Sequence, residues 1–284
     1  MNVIYAILDT LLPFDMFRFT FMKNALLALL LIAPLLGLLG TMAVNNRMAY
    51  FSDALGHSAL TGIAIGVLLG MENQLICMVA FGILMAVVIS RVKAAGSSST
   101  DTVISVFSSL ALALGLVILS RGGGFARYSS YLVGDILAIT PADLGLLALT
   151  LAAVLVLWIV LFNPLLLTSV NPSLAASRGA RVKWVEMAFI VAVAVVVMLS
   201  IQWVGILMIN ALLILPAASA RNVARSARQY TLLSLAFSLF SGLLGLVLSY
   251  LWDVSAGPMI VLILGCIFAV TYLIKARSRV SRAA

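Results

Sequence analysis

Charge is scarce in this chain. Lys, Arg, Asp and Glu make up 9% of its 284 residues, against about a quarter in an average soluble domain. So few charges exclude an ordinary soluble enzyme, and the apolar excess excludes a disordered or collagen-like chain. Histidine occurs once, as His57, inside an apolar run; read as part of a transmembrane path, it leaves no Ser/His/Asp set for nucleophilic catalysis. There are two cysteines, Cys77 and Cys266, each within an apolar stretch. They form no CxxC motif and no disulfide framework, and read as buried thiols. A phosphate-cradling GxxxxGK[ST] is absent, and the Gly122–Gly124 run lacks the lysine such a loop needs. The chain therefore has no P-loop of its own for hydrolysing ATP.

What is present is hydrocarbon. Apolar residues make up 64% of the chain, and the mean hydropathy is +1.23. A membrane-spanning helix needs about 20 apolar residues. The whole of 1–284 then reads as one all-α polytopic membrane domain, with no room for a separate soluble module. Cut at charges and turn residues, the apolar runs predict about nine spans, with eight possible: 24–44, 48–70, 74–90, 103–120, 142–162, 184–201, 203–220, 230–251 and 258–274. The narrowest separation, Ile201–Gln202–Trp203, is either a very tight turn or a break within one longer segment.

Orientation follows from the basic residues. Alternating nine spans places 13 of the 17 Lys and Arg on one side, from Arg47 and Arg91 to Arg279 and Arg282. Only Arg18, Lys23, Arg121 and Arg127 fall on the other. Basic residues collect in cytoplasmic loops, so the N-terminus is expected outside and the C-terminus in the cytoplasm. The formal charge of +8 is thus read as topology, not as affinity for nucleic acid. Residues 1–17 lack the basic n-region of a signal peptide and read as an interfacial segment on the outer surface. Residues 122–140 are expected to form a short external helix. Residues 217–229, after Pro216, are expected to form a short cytoplasmic helix carrying Arg221, Arg225 and Arg228 at helical spacing.

An ionisable residue inside a span costs roughly 2.5–3.5 kcal/mol on insertion scales and is a functional candidate by default. The second span supplies two. Asp53 and His57 are four residues apart and share a helical face. Counted from Arg47 at 1.5 Å per residue, they lie about 9 Å and about 15 Å deep. Carboxylate oxygen and imidazole nitrogen together suit a divalent transition metal such as zinc or manganese. The bland alternative is that the pair only holds helices together. Two ligands are fewer than zinc's usual four, so either the pair is a low-affinity relay or a second copy of the chain brings the same pair. Thr61, one turn further on, and Asn210, midway along the seventh span, are possible path-lining residues. Beside the Asp/His face runs a small-residue stripe, Ser58, Gly62, Gly66 and Gly70, which permits close helix approach.

These segments carry a family resemblance. RMAYFSDALGHSALTGIAIG at 47–66 resembles the second-span signature of the bacterial ATP-binding-cassette permeases for zinc and manganese. LVGDILAITPADL at 132–144 is similar to that family's external segment, VGILMINALLILPAASARNVAR at 204–225 to its cytoplasmic coupling region, and DVSAGPMIVL at 253–262 to the turn into its last span. Within the first block the neighbours of the Asp and His, Ser52 and Gly56–Ser58, depart from the family's usual pattern. The resemblance implies a multi-pass subunit of the bacterial plasma membrane, not itself an enzyme. Its implied partners are a second copy of itself, a cytoplasmic ATPase that binds ATP, and an extracytoplasmic metal-binding protein. It implies that Asp53 and His57 contact the ion and that Pro216 through Arg228 meets the ATPase. Zn2+ or Mn2+ would then be cargo, and no cofactor would be held permanently. Zinc is placed ahead of manganese or iron. Behind these stand a chelated-iron or cobalamin permease, which has no evident use for an in-membrane Asp/His pair, and an ion-coupled secondary transporter, which needs more intramembrane carboxylates.

Overall fold

In the computed structural model the described residues are 5, 15–96, 99–121, 131, 134–178 and 181–283. They are mostly helical, without strands, as a chain in hydrocarbon must be when its backbone groups have to be satisfied internally. Nine α-helices are present among them: α1 (Thr20–Asn45), α2 (Phe51–Leu68), α3 (Leu75–Ala94), α4 (Thr100–Arg121), α5 (Pro141–Val170), the short α6 (Pro172–Ser177), α7 (Val182–Val223), α8 (Ala227–Trp252) and α9 (Ala256–Ala283). Eight are long and apolar enough to cross a membrane. Most of the interfacial segment 1–17 and of the external segment 122–140 lies outside the described residues. What is described there includes two 3-10 turns, Asp15–Arg18 and Ile136–Ala138.

The expected sixth and seventh spans both fall within α7. Its 42 residues would run about 63 Å if straight, about twice a hydrocarbon core. The helix is broken, but not at Ile201–Trp203, which is regular. The break is at Gly205, with φ 79° and ψ 160°. This backbone region is open essentially to glycine alone, so the break sits where the sequence offers one. The arms on either side are each long enough for one of the two expected spans.

The expected 217–229 helix is also redrawn. Pro216 lies inside α7, which continues to Val223. Proline removes one backbone N–H but does not oblige a helix to stop when its surroundings hold the next turn. The chain turns at Ala224–Ser226, and α8 begins at Ala227 under a Ser226 cap whose Oγ accepts the Gln229 N–H at 3.2 Å. Gln229 Oε1 accepts the Arg225 N–H at 2.9 Å. The segment is therefore helix end, turn and helix start.

The contacts divide the chain into two compact units. The first comprises Met1–Thr41, Gly134–Leu155 and Ala211–Ala284. Its α1 and α8 are joined by a ladder of side-chain donors from α8 to backbone carbonyls of α1. Tyr230 donates to Thr41 at 3.2 Å, Ser234 to Gly37 at 2.9 Å and Ser238 to Ala33 at 2.7 Å. Small residues every fourth position on α8 make this approach possible. A Cβ on Gly40 would lie 1.8 Å from the Leu213 carbonyl oxygen, and one on Gly245 would lie 2.3 Å from Ile260 Cγ1.

The second unit comprises Met42–Val133 and Val156–Asn210. Its interior helix is α2, buried from Phe51 to Gly66 except along one narrow strip. α3 and α4 cover it and turn Ile76, Leu84, Leu110 and Val117 outward, as helices facing lipid do.

Candidate functional site

α2 is gripped on three sides, and each grip uses a residue too small to keep a neighbour away. Toward α3, a Cβ on Gly62 would lie 2.5 Å from Met78 Cα, and one on Gly66 would lie 3.3 Å from Gln74 Cα. Toward α4, the Thr61 hydroxyl donates to the Ala111 carbonyl, and Gly115 lies against Thr61. Toward α7, Gly56 faces Ile206, whose Cγ2 would be 2.5 Å from an added Cβ. The expected small-residue stripe is thus a packing seam with α3, closed by Gly70 at φ 67°.

The remaining face carries the ionisable pair. Asp53 sits in the first turn, where a carboxylate interacts favourably with the helix dipole. One turn later His57 brings Nε2 to 3.5 Å from Asp53 Oδ2. The two side chains are 50% and 31% exposed, on a helix otherwise almost wholly buried. Asn210, 157 residues away in sequence, donates from Nδ2 to Asp53 Oδ1 at 3.0 Å. Asp53, His57 and Asn210 therefore form one cluster. Thr61 does not join it. It is fully buried and its hydroxyl is taken by α4.

The polar atoms of the cluster are incompletely satisfied. His57 Nδ1 and Asn210 Oδ1 are buried without a hydrogen-bond partner. Native structures keep few such atoms, and each calls for a partner such as an ordered water or an ion. Among the described residues no group of three or more His, Cys, Asp or Glu assembles, and those of one copy bring two strong metal ligands together here, Asp53 and His57. Arg221, Arg225 and Arg228 lie in the other unit and are all exposed. They occupy the last turn of α7, the turn beyond it and the first turn of α8.

Comparison with known proteins shows the family. The sequence model of the ABC 3 transport family matches residues 18–275. The chain belongs to that family. The manganese import system permease protein ScaB of Streptococcus gordonii is 33% identical over 261 residues, covering 92% of this chain and 94% of its own. The high-affinity zinc uptake system membrane protein ZnuB of Haemophilus influenzae is 32% identical over 264 residues, with 91% and 99% covered. The solved structure of PsaBC from Streptococcus pneumoniae in complex with Fab is 30% identical to this chain. It superimposes with a TM-score of 0.79 over 96% of this chain and 95% of that one. As a member of the ABC 3 family with eight long apolar helices, the chain is a multi-pass inner-membrane protein.

Sequence reasoning found Asp53 and His57 from their spacing and singled out Asn210, but not the bond between Asn210 and Asp53. It also missed Gly56 and Gly205. A glycine inside an otherwise regular apolar run is the signal that could have marked both.

Proposed function

We propose that this chain is the membrane subunit of an ATP-driven importer for a divalent transition-metal ion, zinc or manganese. The observation that carries the reading is the Asp53–His57 pair, half-exposed on the interior helix of its unit, 3.5 Å from oxygen to nitrogen. An ion entering hydrocarbon must replace its lost hydration, and this pair is the means at hand. Oxygen and nitrogen donors fit both ions. The relatives named for manganese and zinc transport support the same class.

Two ligands per chain favour two copies working together, which doubles the set to two carboxylates and two imidazoles. ATP hydrolysis falls to a separate cytoplasmic subunit, since no P-loop is encoded. The exposed arginines 221, 225 and 228 are its docking surface, with Pro216 on the same helix end. An extracytoplasmic metal-binding protein delivers the ion on the side where the N-terminus lies. The C-terminus lies in the cytoplasm, a placement supported by the split of 13 basic residues against four.

The test is uptake of radioactive zinc and manganese by membranes carrying the assembled importer. His57→Ala and Asp53→Ala are expected to lose it while the subunit still inserts and assembles. Normal uptake by either variant removes the pair from the transport path. Poor assembly of both returns the pair to a purely architectural role. Orientation is checked separately. A cysteine at Asn73 is expected to react with an impermeant reagent from outside and one at Ser99 is not; the opposite pattern reverses the topology.

A further inference from the structure

From the cluster's geometry we infer that Asn210 is the residue that sets which metal the site accepts, by holding Asp53 so that one carboxylate oxygen, not two, faces the ion. The inference rests on the proposed role of Asp53 and His57 as ion ligands.

Three observations carry it. Asn210 Nδ2 donates to Asp53 Oδ1 at 3.0 Å, while Oδ2 is the oxygen 3.5 Å from His57 Nε2. The carboxylate's two oxygens are thus assigned different tasks, and the Oδ2–Nε2 side is where donors from the pair converge. The amide is also fixed in place. Gly56 lets α7 close on α2 at this level, with Asn210 Nδ2 3.7 Å from the position of a Gly56 Cβ and Ile206 seated beside it. Finally, Asn210 Oδ1 is buried and has no partner. A buried acceptor left unmade is a cost, and an apolar side chain of similar size would fill the same space without it. The asparagine is therefore not accounted for by packing; its productive contact is the one to Asp53.

The chemical consequence follows from coordination preferences. Zinc is content with four donors in a tetrahedron, each carboxylate giving one oxygen. Ions that favour oxygen-rich shells of six or more, manganese among them, gain from a carboxylate free to turn and give both. An amide N–H engaging Oδ1 holds Asp53 in the one-oxygen presentation and favours the smaller shell. Asn210 acts through Asp53, as a positioning residue, and does not itself touch the ion.

The experiment uses the assembled importer, with its ATPase and binding protein, in membranes. Zinc and manganese uptake are measured as concentration series on the same preparations for the parent, Asn210→Leu, Asn210→Ala and Asp53→Ala. Asn210→Leu removes both the donor and the orphaned oxygen while keeping the branching and the number of heavy atoms. Its complex is expected to assemble as well as the parent, with the half-saturating zinc concentration raised about tenfold and the zinc-to-manganese preference lowered by a similar factor. Asn210→Ala should shift the preference the same way. A purely architectural asparagine instead lowers the amount of complex and scales both ions equally. A preference within twofold of the parent in both variants overturns the inference while leaving the importer reading intact, provided Asp53→Ala is inactive. If Asp53→Ala transports normally, or the parent carries neither ion, the importer reading fails and this inference falls with it.

Discussion

The α1–α8 seam and the α2–α7 contact both bury polar side chains between helices, and they do so to opposite effect. On α8, Tyr230, Ser234 and Ser238 each donate to a carbonyl of α1, and every one of these hydroxyls is satisfied. At the α2–α7 contact one good bond is made, Asn210 to Asp53, and two atoms are left without partners. Two further buried atoms lack partners, the hydroxyls of Ser200 and Ser219. A serine hydroxyl can rotate onto the carbonyls of its own helix; a ring nitrogen and an amide oxygen have no such recourse. The α1–α8 groups are thus completed within the chain, whereas the α2–α7 groups left incomplete are those of the cluster proposed to meet the ion.

The contrast can be broken most sharply at the incomplete end. Alanine at His57 or Asp53 is expected to lower metal uptake at least about 100-fold, since even outer partners of a metal site cost 10–100-fold when removed. The amount of assembled complex, measured on the same membranes, should change little. At the seams the order reverses. Gly62→Ala places a Cβ 2.5 Å from Met78 Cα, a backbone atom that cannot step aside. Overpacking of this kind costs about 1–3 kcal/mol, to be read as a lower midpoint for thermal loss of the folded subunit in detergent. Gly205→Ala forces a side chain into a conformation that costs about 1–3 kcal/mol, and the same melt should register it. The smallest effect belongs to the ladder. Ser234→Ala or Ser238→Ala removes one interhelical hydrogen bond, a change of about 0.6 kcal/mol on average in a membrane. Uptake per assembled complex should stay at the parent level; a specific loss there would mean that α8 does more than hold α1.

Charge reversal at Arg221 and Arg225 probes the other unit. It is expected to leave insertion intact and to separate ATP hydrolysis from uptake in the assembled importer. Fully coupled hydrolysis would reduce these arginines to topological anchors.

Much of this was legible from the sequence because hydrocarbon imposes simple rules. Long apolar runs became helices, some within a few residues of the expected bounds, as 24–44 became Thr20–Asn45 and 230–251 became Ala227–Trp252, while α5 and α9 run on past the expected 162 and 274 to Val170 and Ala283. The exceptions involve residues whose effect depends on surroundings. Pro216 is tolerated inside α7, and Gly205, unremarkable in sequence, breaks it. In the site, Asp53 and His57 were readable because four residues return a helix nearly to the same face. Thr61 was placed beside them by extending that rule once more. Eight residues, however, rotate a position about 80° from Asp53, which is enough to turn Thr61 onto α4. The bond from Asn210 could not be read, because it depends on how α7 meets α2 across 157 residues of chain.

A protein with one histidine carries its own reporter. His57 is the single imidazole in 284 residues, so isotope labelling of histidine alone produces the signals of one ring, already assigned and located at the proposed site. Its nitrogen shifts distinguish a metal-bound from a free ring, and its line shape follows exchange between them. Occupancy of the proposed site can therefore be watched directly, by the ring shifts as zinc is added and by paramagnetic broadening of the same signals as manganese is added, without waiting for transport to occur.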